Sequence, residues 1–314
     1  MFLVCGEALL DLFIEDSDDS GGVKFDARVG GSPFNVAIGL ARLDVPVALL
    51  TGISNDLPGE QLNSVLVKEG VSIEYLIRNG RRTTLSLVGL DKAGSPSYSF
   101  YGIGSADCSI KYEHFPEIDG KLTGLHFGSY STVIEPVATA FKKLAGDKSS
   151  EFISYDPNIR PTIEPDIDIW RSGVDEFCRY ADLIKISAED YDLLYPGKSQ
   201  DEMAQHWFDL GAKLIVITNG GKQIRAWSRA GYELQITPPG LSVVDTVGAG
   251  DSFQAAILKC LLSLDKPKES MGYLEESHLY RILNYAAVAA ALTCTRRGAD
   301  LSRPEEIDSM INNL

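Results

Sequence analysis

The chain has 314 residues, of which 44% are hydrophobic and 23% are charged, a composition that is ordinary for a globular protein. This length favours one α/β domain with a modest appendage, and a core large enough to need no disulfides. Acidic residues outnumber basic ones by 44 to 29, and the formal charge of −15 argues against non-specific binding to nucleic acid or to an anionic membrane.

The first predicted element is a buried strand at the N-terminus, in FLVCGEALLDLF. No basic residue precedes this apolar run, and Glu7 and Asp11 interrupt it, so it does not have the pattern of a signal peptide. No run of 18 apolar residues occurs anywhere in the chain, and no transmembrane helix is expected.

Strands and helices then alternate along the chain. Ser32–Leu43 has Ser-Pro at a helix start, and LPGEQLNSVLVKEG predicts a helix that Gly70 closes. Buried strands are indicated by five short apolar runs: VPVALLTGI, GLHFGSY, EFISYDPN, ADLIKIS and AKLIVITNGG. Repeated βα units predict an α/β fold with a mainly parallel central sheet flanked by helices, and ligands at the carboxyl ends of its strands.

Two segments break this alternation. KFDARVGG (Lys24–Gly31) and TTLSLVGLDKAGSPSYSFYG (Thr83–Gly102) alternate apolar and polar residues, with Gly-Ser-Pro as a turn, which is hairpin chemistry. We predict a small antiparallel sheet that projects from the main domain, although a decorative edge extension would explain the same pattern. The expectation is a single domain over residues 1–314, with inserted segments at approximately 12–31 and 83–104.

Cysteine and histidine spacing gives no metal or disulfide signature. The five cysteines are scattered, odd in number and without Cys-x-x-Cys, which is typical of reduced thiols in a cytoplasmic protein. The four histidines form neither His-x-x-His nor His-Glu-x-x-His, so a histidine-built metal site is not expected.

The strongest chemical motif is VDTVGAGDSF, which leads into the apolar run AAILKCLL. Gly248, Ala249 and Gly250 have little or no side chain, so their backbone N–H groups can approach an anion at the positive end of a following helix. Asp251 then places a carboxylate beside that anion site. A tight strand–helix turn with an ordinary N-terminal aspartate is the alternative. Neither a P-loop nor a dinucleotide-binding glycine motif occurs.

Two further motifs fall at the same predicted edge of the sheet. In VGGSPFNVA, Gly30 and Gly31 offer bare backbone, and the Asn35 amide suits sugar hydroxyls. A glycine bend with an N-terminal asparagine is the alternative. In YDPNIRP, Asp156, Asn158 and Arg160 follow the strand EFIS, where arginine binds anionic or hydroxyl-rich groups. A proline-rich loop with a surface salt bridge is the alternative.

The motifs GGSPFNVA, DPNIRP, ITNGG, DTVGAGDSF and NYAAVAAALTCTRRGAD, in this order, resemble the ribokinase-like (PfkB) family of sugar kinases. The resemblance extends from Gly6 to Asp300, and YDPNIRP with SFYGIGSAD is most similar to the fructokinase branch. It implies a central α/β sandwich with a small β-sheet lid, the use of ATP and Mg²⁺, and a homodimer.

The resemblance also implies roles for individual residues. Asp251 matches the catalytic base, and the anion hole for the transferring phosphoryl group is matched by Gly248, Ala249 and Gly250. The sugar contacts are matched by Asp11, Gly30, Gly31, Asn35 and Arg160.

On the nucleotide side, the matching positions are Lys185, Thr218, Gly220 and Asn284. Asp245 and the segment around residues 296–298 resemble the loops that hold a monovalent cation, K⁺ in our expectation, in some family members.

Two positions depart from the family pattern. The family often has Asn-x-x-Glu near magnesium-bound water, and this chain reads KISAED, with Ala188 where we expect the glutamate. Glu189 is the candidate replacement, with Asp190 as the alternative. The second glycine of Gly-x-x-Gly after the nucleotide strand is replaced by Gln223.

The predicted function is ATP-dependent phosphorylation of a sugar hydroxymethyl group, with fructose giving fructose 6-phosphate. Kinases acting on 2-keto-3-deoxygluconate, ribose or a nucleoside are alternatives in the same family. A non-catalytic sugar- or nucleotide-sensing protein is the alternative from another class, which the intact Asp251 and its glycines disfavour. The partners expected are a small sugar and a second copy of the chain, without nucleic acid or membrane.

Overall fold

The computed structural model describes residues 1–17, 22–90, 96–118 and 122–313. The strands are β1 (Phe2–Cys5), β2 (Leu9–Ser17), β3 (Val23–Gly30), β4 (Val47–Ser54), β5 (Leu76–Asn79), β6 (Thr84–Leu90), β7 (Pro96–Tyr101), β8 (Gly124–Gly128), β9 (Ile153–Asp156), β10 (Leu183–Ser187), β11 (Leu214–Asn219), β12 (Gln223–Ser228) and β13 (Glu233–Ile236). The helices are α1 (Ser32–Arg42), α2 (Leu57–Lys68), α3 (Val137–Asp147), α4 (Ile167–Phe177), α5 (Ala188–Leu194), α6 (Gln200–Leu210), α7 (Ala249–Leu262), α8 (Pro267–Ser270), α9 (Glu276–Thr293) and α10 (Pro304–Asn312). Within these residues, no helix is both long and apolar enough to cross a bilayer.

Among the described residues, the main sheet has nine strands in the order β13-β12-β11-β10-β9-β8-β1-β4-β5. The pairs from β11 through β1 to β5 are parallel, and β12 and β13 add an antiparallel edge. The predicted mainly parallel sheet is thereby confirmed. Its inner strands are continuous apolar runs because helices cover both faces.

Helices form a layer on each side of this sheet. One core cluster contains residues of α1, α2, α7, α9 and α10, and the other contains residues of α3, α4, α5 and α6. Strand β1, FLVC, is buried along its whole length between the two clusters. The chain leaves β1 toward β4 on one side and returns as β8 on the other, so β1 marks the switch point where ligands gather in such sheets.

A second sheet has four strands in the order β3-β2-β6-β7, and we call it the lid. The pairs β2–β3 and β6–β7 are antiparallel hairpins, but β2 and β6 pair in parallel. The expectation of a purely antiparallel sheet was therefore wrong. Both hairpins leave the body in the same direction, so their first strands lie side by side. The predicted Gly-Ser-Pro turn falls mainly on residues 91–95, outside the described residues.

The single N-terminal strand that we predicted is two strands in different sheets. β1 belongs to the main sheet and β2 to the lid, and the break begins at Gly6. A Cβ on Gly6 would lie 2.1 Å from Cγ of Pro33, so only glycine lets the start of α1 pack against this bend. The apolar pattern gave no sign of the break because both strands bury apolar residues.

One buried carboxylate ties the lid to the body. Asp107 Oδ1 accepts hydrogen bonds from Thr84 Oγ1 and Ser105 Oγ, each at 2.6 Å, and Oδ2 accepts one from the Tyr130 hydroxyl at 2.8 Å. Thr84 opens β6 and Ser105 follows β7, so both ends of this hairpin are held at one point.

Candidate active site

The glycine motif forms the start of α7, as its sequence suggested. Gly248 is the N-cap and has φ of 78°, a left-handed conformation that glycine adopts without strain. A Cβ there would also lie 2.6 Å from Cβ of Ala299. The Ala249 N–H donates to the Thr246 carbonyl at 3.2 Å, and the amides of Gly248–Gly250 lie at the positive end of a 14-residue helix.

Asp251 lies in the first turn of α7 and faces α1. Its Oδ1 accepts a hydrogen bond from Ser32 Oγ at 2.7 Å, and its Oδ2 accepts one from Asn35 Nδ2 at 2.8 Å. Residues more than 200 positions apart thus meet at the end of the sheet. The structure brings together two motifs, GGSPFNVA and VGAGDSF, that the sequence placed at one edge.

The environment makes Asp251 a stronger base than a free aspartate. Burial raises its pKa, while the hydrogen bonds from Ser32 and Asn35 and the charge of Lys185 act in the opposite direction. A higher pKa brings the carboxylate closer to the pH at which it can accept a proton during catalysis.

Lys185 belongs to β10 and lies beside Gly250, at the start of α7. Its Nζ is 2.7 Å from Asp156 Oδ2, and the two side chains are 5% and 3% exposed. A Cβ on Gly250 would lie 3.3 Å from this ammonium. Among the described residues, Asp156 is the hydrogen-bond partner of Lys185 Nζ, although an ammonium has three donors. The remaining donors fit the phosphate oxygens of a nucleotide.

A cavity of about 480 Å³ lies between the lid and the loop after α9. Asp11, Gly30 and Asn35 line it from one side, and Gly298 from the other. A Cβ on Gly30 would lie 2.5 Å from Asp11 Oδ2, so Gly30 makes room for that carboxylate. The structure therefore gathers three of the predicted sugar contacts around one cavity.

The other two predicted sugar contacts lie nearby. Gly31 has φ of 104°, and a Cβ there would lie 2.9 Å from the Glu7 carbonyl oxygen, so the turn requires glycine. Arg160 is exposed and is not among the residues that line the cavity. Burial raises the pKa of Asp11, and the positive charge of Arg160 opposes that rise, which places Arg160 within electrostatic range.

The residues expected on the nucleotide side occupy neighbouring strands and a helix. Thr218 is in β11, beside Ser187 of β10, and Gly220 follows that strand with φ of 49°. Gln223 opens β12 and pairs with Asn219, so the departure from Gly-x-x-Gly leaves a regular hairpin. Asn284 is half-buried in α9. No described contact joins Thr218, Gly220 or Asn284 to Asp251, and their roles stay predictions.

Asp245 forms hydrogen bonds with both loops that the family resemblance implicates in cation binding, the loop before α7 and the turn after α9. Its Oδ1 accepts a hydrogen bond from Val247 N at 3.1 Å and its Oδ2 one from Gly298 N at 2.8 Å. The carboxylate therefore ties the segment before the glycine motif to the turn after α9.

No cluster of three or more potential metal-binding side chains occurs in the described parts of the chain. Of the two magnesium candidates, Glu189 is exposed whereas Asp190 is buried. Burial and the charge of Asp156 raise the pKa of Asp190 to about 6. Asp190 is therefore buried within electrostatic range of the Lys185–Asp156 pair, whereas Glu189 is exposed. One carboxylate fits Mg²⁺, which usually takes few protein ligands beside phosphate oxygens and water.

Sequence reasoning missed Ser32, which contacts Asp251, and Glu7, which contacts Ser32. Glu7 Oε1 accepts a hydrogen bond from Ser32 N at 3.3 Å, and Glu7 is 1% exposed. The available signal was a carboxylate inside an otherwise apolar N-terminal run. A buried carboxylate without a charged partner requires a local reason.

Comparison with known proteins gives a consistent result. The model of the pfkB family carbohydrate kinases matches residues 2–306. A fructokinase of Rhizobium leguminosarum bv. trifolii is 36% identical over 83% of this chain and 79% of its own length. Fructokinase-2 of Oryza sativa subsp. japonica is 32% identical over 94% of this chain and 88% of its own length.

Among solved structures, a fructokinase from Xylella fastidiosa with bound ATP is similar with a TM-score of 0.91. The alignment covers 99% of this chain and 98% of that one, at 24% sequence identity. That structural likeness concerns the fold, while the family match spans the residues that build the site. This chain belongs to the pfkB family of carbohydrate kinases.

Proposed function

We propose that this chain is a fructokinase, which transfers the γ-phosphoryl group of ATP to the 6-hydroxyl of fructose. The observation that carries the proposal is the position of Asp251, in the first turn of α7 and within hydrogen-bond distance of Asn35, which lines the cavity beside the lid. The fructokinase sequences that resemble this chain support fructose as the acceptor.

On the sugar side, Asp11, Gly30, Gly31 and Asn35 bind hydroxyl groups, and Arg160 contacts the sugar from the adjoining strand end. Asp11 suits a neutral polyol. An acidic sugar such as 2-keto-3-deoxygluconate would meet this carboxylate at the cavity wall, and the two arginines of the lining, Arg28 and Arg297, are both paired with Asp26. A neutral sugar is therefore favoured.

Asp251 orients the acceptor hydroxyl and accepts its proton as the oxygen bonds to phosphorus. A free aspartate has a pKa of about 3.9, so proton transfer occurs late, when the alcohol oxygen has lost electron density. Catalysis then rests on placement and on charge stabilisation more than on strong basicity.

On the phosphate side, the amides of Gly248, Ala249 and Gly250 and the ammonium of Lys185 stabilise the negative charge of the transferring group. One such donor contributes roughly 3 kcal/mol in other enzymes. ATP supplies the phosphoryl group, and we place its base and ribose near Thr218, Gly220 and Asn284.

Asp190, rather than Glu189, would hold magnesium, which would neutralise phosphate charge when bound. Asp190 is buried within electrostatic range of the Lys185–Asp156 pair, whereas Glu189 is exposed. For the monovalent cation, we propose a K⁺ site at the loops that Asp245 joins. Turnover measured in K⁺ and in a bulky organic cation would test it.

We also propose a cytoplasmic homodimer. All five cysteines are unpaired, which suits a reducing compartment. On the lid, Ile14 and Phe25 are cross-strand partners and are 46% and 43% exposed, an apolar patch that a second lid would cover. Light scattering of the wild type and of Phe25→Lys tests the dimer: the substitution should give a monomer.

The direct test is an ADP-release assay with fructose, ribose, 2-keto-3-deoxygluconate and adenosine as acceptors. We expect the highest kcat/KM with fructose and little ADP release without sugar. Equal, slow ADP release with and without every acceptor would overturn the proposal and favour a sensing protein. A higher kcat/KM with another acceptor would replace fructose but leave the kinase assignment intact.

A further inference from the structure

The two oxygens of Asp251 have different surroundings. Asn35, which donates to Oδ2, lines the cavity between the lid and the loop after α9. Ser32, which donates to Oδ1, is as buried as Asn35, each being 8% exposed, but neither Ser32 nor Asp251 is among the residues that line the cavity. Oδ2 is therefore held by the residue that reaches the cavity, and Oδ1 is held by one that does not.

Ser32 is itself held from two directions. Its backbone N–H donates to Glu7 Oε1 at 3.3 Å, and its hydroxyl donates to Asp251 at 2.7 Å. The preceding Gly31 sits directly on the Glu7 backbone, at a distance that excludes any Cβ. A serine fixed in this way holds one carboxylate oxygen in place with a charge-assisted hydrogen bond.

From this geometry we propose that Ser32 is a positioning residue that fixes the orientation of Asp251 and leaves Oδ2 for the acceptor hydroxyl. The inference rests on the proposed role of Asp251 as the base. A carboxylate oxygen can accept two hydrogen bonds, so Oδ2 accepts the sugar hydroxyl while Asn35 remains close. Without Ser32, the carboxylate can rotate and Oδ2 loses its alignment.

The same hydrogen bond favours the ionised form of Asp251. The charged groups around this carboxylate come from other elements. Lys185 of β10 lowers the pKa of Asp251, and Asp156 of β9 raises it. Asp11 of β2 is close enough for the charge of Asp251 to raise the pKa of Asp11. Glu7 lies behind Ser32. The Ser32 hydroxyl is one of the groups that lower the pKa of Asp251. When it is removed, burial and the neighbouring carboxylates raise this pKa further.

The test compares Ser32→Ala and Ser32→Thr with the wild type, using fructose and ATP. For Ser32→Ala we expect kcat to fall roughly 10- to 100-fold, the loss of one hydrogen bond to a charged group, with little change in the KM for fructose. The acidic limb of the kcat profile should move to higher pH. Ser32→Thr keeps the hydroxyl and should restore both kcat and the profile.

Ser131→Ala is the matched control, because it removes another buried serine hydroxyl, one that donates to the Gly128 carbonyl at 2.8 Å. This variant should keep the wild-type pH profile. A ¹³C NMR titration of the Asp251 carboxyl in wild type and Ser32→Ala gives a readout that does not need turnover, and the titration should move to higher pH.

The outcomes are distinguishable. A wild-type protein that phosphorylates no sugar contradicts the proposed function, while the NMR titration still tests the contact. A Ser32→Ala enzyme with wild-type kcat and an unchanged titration of Asp251 overturns the role of Ser32. A raised KM with unchanged kcat also overturns it, because Ser32 would then bind the sugar instead of positioning the base.

Discussion

Lys185 Nζ and Asp156 Oδ2 lie 2.7 Å apart under the first turn of α7, and their side chains are among the most buried charged groups of the chain. Asp156 Oδ1 is buried without a hydrogen-bond partner among the described residues. Such a pair contributes little net stability, because desolvation of both charges offsets their attraction. Its position beside Gly250 instead points to a role with phosphate.

Lys185→Met should separate the contribution of Lys185 to stability from its proposed contribution to catalysis. Because the single substitution leaves a buried carboxylate unpaired, we expect a loss of about 3–5 kcal/mol in the free energy of unfolding, together with a large fall in kcat. The double variant Lys185→Met, Asp156→Asn should recover most of the stability but not the activity. Urea denaturation and steady-state kinetics measure the two effects.

The control for that experiment is Lys111→Met. Lys111 lies 3.8 Å from Glu113, and both side chains are more than half exposed. An exposed pair of this kind is expected to contribute at most about 1 kcal/mol. Wild-type kcat in folded Lys185→Met would contradict a contact between Lys185 and phosphate.

Asp251→Asn tests the base directly. Asparagine has the same shape and keeps the contact with Ser32 or Asn35, but it cannot accept a proton. We expect fructose and ATP to bind with near wild-type affinity by calorimetry, while kcat falls by roughly 100- to 10,000-fold. Asp192→Asn, on the exposed side of α5, is the control for loss of one negative charge. Near-normal turnover of Asp251→Asn would refute its assignment as the base.

Glu7→Gln should change how stability depends on pH. Burial raises the pKa of Glu7 from 4.5 to about 8. Between these values the unfolded chain has lost the proton and the folded protein has kept it, so the wild type loses stability as pH rises, by up to about 1.4 kcal/mol per pH unit. The stability of Glu7→Gln relative to the wild type should therefore increase from pH 5 to pH 8.

Urea denaturation at several pH values measures this difference. The matched control is Glu74→Gln, since the Glu74 side chain is exposed in the folded protein and solvated in the unfolded chain. Its curve should run parallel to that of the wild type. A constant difference between Glu7→Gln and the wild type across pH 5–8 would show that Glu7 is ionised in the fold.

Tyr130→Phe tests the attachment of the lid. The Tyr130 hydroxyl donates to Asp107 Oδ2 in the buried cluster that also holds Thr84 and Ser105. Its removal leaves a buried carboxylate less satisfied, so we expect a loss of about 1–3 kcal/mol and faster amide exchange in β6. Tyr112→Phe, which removes an exposed hydrogen bond to Asp147, is the control. Equal effects of the two variants would contradict the lid attachment at Asp107.

Much of the fold was predictable because the buried strands are short apolar runs that end at glycine or polar residues. The start of α7 was also predictable, since Gly248 and Asp251 carry a local signature of an anion site. These features depend on neighbouring residues in the sequence, and local patterns report them.

The rest depended on contacts between distant parts of the chain. The parallel pairing of β2 with β6 depends on where the two hairpins leave the body, and the sequence of neither hairpin indicates it. The contact of Ser32 with Asp251 spans 219 positions. Asp190 was distinguishable from Glu189 only by the direction in which each side chain leaves α5.

The lid and the body carry different parts of the proposed reaction. Asp11 and Gly30 belong to lid strands, whereas Asp251 and Lys185 belong to the body, and Asp107 fixes the base of the hairpin β6–β7. Part of the acceptor preference is thus encoded in the lid strands, apart from the transfer chemistry, while the proposed sugar contacts Asn35 and Arg160 belong to the body. Exchange of lid segments between related kinases is consequently a route to new acceptors that leaves the phosphate machinery untouched.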